Sequence, residues 1–239
     1  MRLDKFLANM GIGTRSEVKV ILKQGRVRVN DEKPSGPEMK IDEKKDSITV
    51  DGEPVNYVEN VYLMLHKPQG VITATEDKVE RTVMDLISIP EKKNLFPVGR
   101  LDKDTEGLLL ITDDGALAHM LLSPRKHVGK VYCARIEGRV TPEDVEAFKK
   151  GVKISSDFEA MPANLKILSA GEVSEIEVEI FEGKFHQVKR MFEAVGKRVI
   201  YLKRLSMGTL ILDENLQIGE YRKLTKEEID GLKTIHEQK

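Results

Sequence analysis

The stretch from Val98 to Gly115 reads Val-Gly-Arg-Leu-Asp-Lys-Asp-Thr-Glu-Gly-Leu-Leu-Leu-Ile-Thr-Asp-Asp-Gly and constrains this chain more than any other. Its apolar part, Leu108 to Ile111, is too short for a free helix and too continuous for a half-exposed strand, so it predicts a buried strand between two turns. An acid-rich loop centred on Asp102 runs into it. Loops fixed by buried strands are where catalytic groups tend to sit, which makes Asp102 a candidate at the mouth of the core.

At 239 residues the chain is long enough for a sizeable core and is expected to form two unequal domains. A net charge of −1 excludes a uniformly basic coat, so the placement of the bases decides. Residues 1–30 hold seven Lys or Arg against two acids, whereas residues 31–53 hold four against eight. Leu3, Phe6, Leu7 and Met10 recur at helical spacing, with Arg2 and Lys5 off that face. Thr14 and Glu17 have the spacing of a capping box for a second helix with Val18, Ile21 and Leu22 inward, ending at Gly25. Val27 and Val29 then alternate with Arg26 and Arg28, a strand with a basic outer face. Arg15, Lys19 and Lys23 form one ridge suited to a phosphate backbone, although a solvated helix face would carry the same charges.

The single cysteine, Cys133, excludes an internal disulfide. Without an apolar leader core or a run of spanning length, the expectation is a cytoplasmic protein that makes no use of a membrane. No heptad or broad apolar face suggests self-association, so a monomer is expected.

Residues 53–60, polar and with a proline, predict a linker. A strand over 61–65 follows, ended by His66-Lys67-Pro68-Gln69-Gly70, where Lys67 at a turn tip could reach a phosphate or simply serve the turn. Asp114 is placed to cap a helix with Leu117, Met120 and Leu121, and residues 130–136 read as a strand. Thr141-Pro142 starts a helix to residue 150. Residues 173–181 alternate Ile176, Val178 and Ile180 with Glu175, Glu177 and Glu179, a half-exposed antiparallel strand. A glycine turn and a helix follow, with Val188, Met191, Phe192 and Val195 inward. Residues 183–204 contain seven bases and one acid, a second basic cluster.

Asp102-x-Asp104 invites comparison with magnesium-dependent phosphatases, but the proline and arginine before it and Glu106 four residues on do not fit that motif. Asp113-Asp114 is explained by a cap as well as by a metal, and the five histidines form no close-spaced ligand pair.

Two resemblances complete the reading. Asp-Lys-Phe-Leu, Thr-Arg-Ser and Gly-Arg-Val-Arg-Val-Asn within about residues 1–50 resemble the small RNA-binding module shared by a small-subunit ribosomal protein and some tyrosyl-tRNA synthetases. Gly-Arg-Leu-Asp-x-x-Thr-x-Gly-Leu-Leu-Leu-x-Thr-x-Asp-Gly resembles the active-site motif of pseudouridine synthases. Glu-Gly-Lys-Phe-His-Gln-Val-Lys-Arg-Met-Phe looks like the third motif of their RsuA branch, with Lys-Pro-Gln-Gly at 67–70 and Lys-x-Tyr at 130–132 in support. Many branches have arginine where this chain has Lys189, and His66 replaces an asparagine common before Lys-Pro.

The resemblance implies that Asp102 is the nucleophile, Tyr132 stacks on the target uracil, Lys189 pairs with the aspartate, and Arg100 fills the gap left by a flipped base. It implies RNA contacts from Arg2, Lys5, Arg15, Lys19, Lys23, Arg26 and Arg28 in the module, and from Lys67, His186, Gln187 and Arg190 in the catalytic domain. The expected fold is α+β: a small α/β RNA-binding module over 1–52, then a catalytic domain over 61–239 with a mixed, largely antiparallel sheet and flanking helices.

The implied reaction is isomerisation of one uridine in small-subunit (16S) ribosomal RNA, reached in a partly assembled subunit. Nothing is oxidised or hydrolysed, so no cofactor and no metal are expected. A large-subunit rRNA synthase and a non-catalytic assembly factor are the rival readings; the residues at 186–190 favour the small-subunit branch.

Overall fold

The computed structural model describes residues 1–43, 45–55, 60–89 and 94–235. The chain divides into two units, Met1–Glu59 and Asn60–Lys239.

In the first unit, helices α1 (Leu3–Asn9) and α2 (Arg15–Lys23) precede strands β1 (Val27–Val29) and β2 (Ile48–Val50). The reciprocal Thr14–Glu17 box starts α2, satisfying amide groups that the helix leaves without partners. Leu3, Phe6, Leu7, Val18, Leu22, Val27, Val29 and Ile48 close one small core, as the apolar periods predict. The sheet has a third strand, Glu53–Pro54, and the Val55 amide donates to the Ile48 carbonyl. Residues 53–55 therefore belong to this unit and not to the linker expected over 53–60; of that linker, residues 56–59 lie outside the described residues.

The second unit contains strands β3 (Tyr62–Lys67) and β4 (Glu106–Thr112), helix α3 (Gly115–Leu122), β5 (Lys130–Glu137), α4 (Pro142–Lys150), β6 (Asn164–Ser169), β7 (Val173–Ile180), α5 (Gln187–Ala194), β8 (Arg198–Met207), β9 (Tyr221–Lys223) and α6 (Lys226–Thr234). Among the described residues nine strands make one sheet, with the path β6-β7-β5-β8-β4-β3-β9; the pairs Phe96–Pro97 and Leu210–Ile211 attach at its sides. Neighbours run antiparallel except β8 and β4, which pair in parallel over Lys203–Glu106 and Arg204–Gly107 alone.

Strands β3 and β4 are buried on both faces, which is why their sequences show no polar alternation. Leu63, Leu65, Leu109 and Ile111 face Phe148 of α4 and Met191 and Phe192 of α5. Tyr62, Met64, Leu108 and Leu110 face Leu117 and Leu121 of α3 and Leu232 of α6. Strand β7 keeps its alternation, because Ile176, Val178 and Ile180 enter the core while the glutamates between them lie outside.

The structure adds β8, ten residues that the sequence shows only as part of a basic run. No described helix is long and apolar enough to cross a membrane.

Candidate active site

The loop before β4 is held from behind. Lys67, expected at an exposed turn tip, ends β3 fully buried opposite Gly107. Its Nζ donates to the carbonyl oxygens of Thr105 at 2.9 Å and of Asp102 and Pro68 at 3.0 Å. Burial pushes the lysine pKa down to about 8, with Asp102, Asp104 and Glu106 working the other way. With its ammonium spent on main-chain carbonyls, Lys67 is not available to a phosphate, which corrects that expectation.

Thr73 completes the clamp. Its hydroxyl donates to the Leu101 carbonyl at 2.7 Å and accepts from the Leu101 amide at 3.1 Å. The Thr105 amide closes the turn on the Asp102 carbonyl at 3.0 Å.

Main-chain fixation leaves the Asp102 carboxylate free to face outward, with its side chain about one quarter exposed. Lys189, from the first turn of α5, places Nζ 3.1 Å from Asp102 Oδ2 and 2.6 Å from Asp104 Oδ1. Burial lowers the lysine's proton affinity, but the hydrogen bonds it donates to both carboxylates, with their charges, outweigh it and hold the pKa above the ordinary lysine value. Asp104 moves the opposite way: Lys189 overcomes burial and keeps that carboxyl below its usual range. His186 brings Nε2 to 3.6 Å from Asp102 Oδ1. It does so from a left-handed backbone conformation, φ 49°, at the N-cap of α5.

Asp102, Tyr132, Lys189, Arg100 and His186 line one cavity, so residues from three separate stretches of the chain converge. Tyr132 is buried in its wall and Arg100 is exposed at its edge. The cavity continues into a groove past Ile72–Thr75 and Phe185, whose exposed ring stacks on His186 at 3.8 Å between centroids.

Gln187 also borders the cavity but is turned inward. Its amide oxygen accepts from Lys184 N and its Nε2 donates to Glu182 Oε1, both at 2.9 Å. It therefore fastens the loop before α5 and has no free end for the RNA contact expected of it. Arg190 lies outside the cavity, its guanidinium 5.9 Å from the centre of the Phe158 ring.

In the first unit Arg15, Lys19, Lys23 and Arg28 are exposed and Lys5 is half-buried, while Arg2 pairs with Asp4 and Arg26 with Asp51. Asp113 and Asp114 are structural: Asp113 accepts from Val61 N, and Asp114 caps α3 through Ala116 N and Leu117 N. His66 binds the Leu216 carbonyl through Nδ1 at 2.8 Å and so serves the fold.

Sequence reasoning gave no role to Thr73, to Lys130, which entered only within the Lys-x-Tyr motif, or to Arg204. The last two are buried and line the cavity. Lys130 carried a signal, since it stands two residues before Tyr132 in one strand and so points to the same side. Arg204 carried none beyond its place in a basic run.

Residues 61–194 match the family model of RNA pseudouridylate synthase, and residues 1–46 match that of the S4 domain. The chain is 49% identical over 232 residues to an uncharacterized RNA pseudouridine synthase, YtzG, of Bacillus subtilis (strain 168), covering 96% of this chain and 97% of the relative. It is 39% identical over 233 residues to ribosomal small subunit pseudouridine synthase A of Vibrio cholerae, covering 97% of this chain and 99% of that protein. A crystal structure of a pseudouridylate synthase aligns with a TM-score of 0.70 at 36% identity, over 97% of this chain and 99% of the other. The chain belongs to the RNA pseudouridylate synthase family, an isomerase acting on RNA, with an S4 domain at its N-terminus.

Proposed function

We propose that this enzyme converts one uridine of small-subunit (16S) ribosomal RNA to pseudouridine, with Asp102 as nucleophile on a flipped-out nucleotide. The observation that carries the reading is the Asp102 carboxylate beside the Lys189 ammonium, 3.1 Å apart, in a cavity walled by Tyr132. The relatives named for the small ribosomal subunit supply the substrate class.

The reaction breaks the bond from N1 of uracil to C1′ of the ribose, turns the base and joins C5 to C1′; the C5 proton leaves and N1 gains one. An ionised Asp102 serves this by attacking base or sugar, or by removing a proton from the sugar, and the Lys189 cation favours the ionised form. Unstacking the nucleotide costs a few kcal/mol, which Tyr132 against the base and Arg100 in the vacated stack partly restore. The exposed bases of the first unit, Arg15, Lys19, Lys23 and Arg28, grip structured RNA through phosphates. The enzyme acts as a monomer in the cytoplasm, on a partly assembled particle.

The test is tritium release from C5-labelled uridine in unmodified 16S rRNA, naked and in assembly intermediates, by wild type and Asp102→Asn. Release by wild type alone supports the reading. Release from large-subunit rRNA alone overturns the substrate, and full activity of Asp102→Asn overturns the nucleophile.

A further inference from the structure

Lys130 and Arg204 are 5% and 2% exposed and stand together in the cavity wall. Arg204 is the cross-strand partner of Tyr132, and Lys130 precedes that tyrosine by two residues, so all three project to one side of the sheet.

Neither cation is fully satisfied by the described residues. Lys130 Nζ donates to the Val128 carbonyl at 3.0 Å, which leaves two of its three protons over. Arg204 Nε donates to the Leu108 carbonyl at 2.7 Å, while its buried Nη2 has no partner among the described residues. Asp102, the carboxylate lining the cavity, is already taken up by Lys189. Arg204 adds to the desolvation that pushes the Lys130 pKa down to about 8. Two like charges buried side by side, each with one carbonyl acceptor and donors left over, oppose folding, so their place in a cavity wall points to an electronegative group that arrives with the substrate.

Depth selects which group. The phosphodiester chain must pass in and out at the mouth, where exposed Arg100 stands, whereas the base alone enters as far as Tyr132. Uracil presents two carbonyl oxygens, O2 and O4. When the bond from N1 to C1′ breaks, its electron pair stays with the base and spreads over N1, O2 and O4.

We propose that Lys130 and Arg204 form an oxyanion-type site that receives a carbonyl oxygen of the target uracil and stabilises the detached base. The site donates hydrogen bonds and transfers no proton; the electron pair returns to the ribose when C5 attacks C1′. Its acceptor is more negative in the detached base than in the bound nucleoside, so the contribution falls on the rate and not on RNA affinity. This inference rests on the proposed placing of a flipped uracil in the cavity.

The test compares wild type with Lys130→Met, which keeps the length of the side chain and removes the charge. The readouts are single-turnover tritium release at saturating RNA, RNA affinity and thermal melting. Release is expected to slow about 100-fold, with affinity within twofold and a melting temperature no lower than wild type. Placing 2-thiouridine or 4-thiouridine at the target substitutes a poor acceptor. One of the two is expected to slow wild type about tenfold or more and Lys130→Met much less.

An unchanged rate in a folded Lys130→Met overturns the proposal. So does a loss confined to affinity, or a methylphosphonate next to the target that impairs wild type and spares Lys130→Met, since either would put the cation on a phosphate. No release by wild type on any RNA would instead overturn the reading beneath it.

Discussion

Lys67 grips Asp102 by its main chain, Nζ to carbonyl oxygen at 3.0 Å, while the carboxylate of the same aspartate meets Lys189 on the other side. One residue is thus held at two ends by two lysines with different tasks. The buried one fixes where the loop lies, and the other, 17% exposed, sets the charge its side chain works against.

Lys67→Met removes the donor of three short bonds and leaves the carbonyls of Pro68, Asp102 and Thr105 without that donor. A loss of about 2 to 4 kcal/mol is expected, since each buried acceptor forfeits its partner while one desolvated charge is relieved. Urea unfolding would show the loss, and tritium release at saturating RNA should fall with it. A variant as stable as wild type would show that the loop holds itself.

Lys189→Met takes the cation from Asp102 and Asp104 together and should slow the reaction at saturating RNA about 100-fold or more. Lys189→Arg keeps the charge and should recover most of that rate. Because both carboxylates hold the Lys189 pKa above the ordinary 10.5, the wild-type rate should show no descending limb from this residue below that pH.

Gly107 has φ 106°, and a Cβ there would lie 2.2 Å from the Arg204 carbonyl oxygen. Gly107→Ala should therefore cost about 3 kcal/mol, strain and backbone displacement combined. Gly70 has φ 80° but nothing within 4 Å, so Gly70→Ala should cost only about 1 kcal/mol. Similar urea midpoints for the two variants would contradict the close approach.

Lys130 gives stability a pH signature. Its pKa is lowered from 10.5 to about 8 by burial and by Arg204, so between those values the unfolded chain holds a proton that the folded chain has released. Wild-type stability therefore rises with pH across that window, and below it the burden of the charge is present in full. Lys130→Met should be more stable than wild type at pH 7, by about 3 kcal/mol at most, with the advantage shrinking as pH rises above 8. Melting curves at pH 7 and pH 9.5 decide it; a gap that stays constant would show that the folded chain keeps the Lys130 proton as the unfolded chain does, with no lowering of its pKa.

Charge reversal at Lys19 and Lys23 should weaken RNA binding and lower the salt slope by roughly one per lysine, leaving turnover of saturating RNA intact. If turnover fell as far as with Asp102→Asn, the division of labour between the two units would be wrong.

The strands at 62–67 and 106–112 are legible because burial on both faces leaves an unbroken apolar run, and the Asp102 loop is legible because it abuts one of them. The caps at Thr14 and Asp114 follow from local chemistry alone. Strand β8 is hidden because Lys203 and Arg204 interrupt its alternation, one of them a buried charge of a kind that sequence patterns assign to the surface. Lys67 and Gln187 mislead for the same reason. Each is polar, and each is buried only because acceptors and donors from other segments come to meet it.

The parallel pairing of β8 with β4 extends over only two residue pairs. The sheet is consequently two antiparallel leaves, β3, β4 and β9 in one and β5 to β8 in the other, sewn along a seam barely two residues long. Asp102 hangs from the first leaf and Tyr132 belongs to the second, while Lys189 comes from α5, which packs into the core the two leaves share. Neither leaf carries a whole cavity, so leaves that failed to meet along this seam would leave Asp102 and Tyr132 apart.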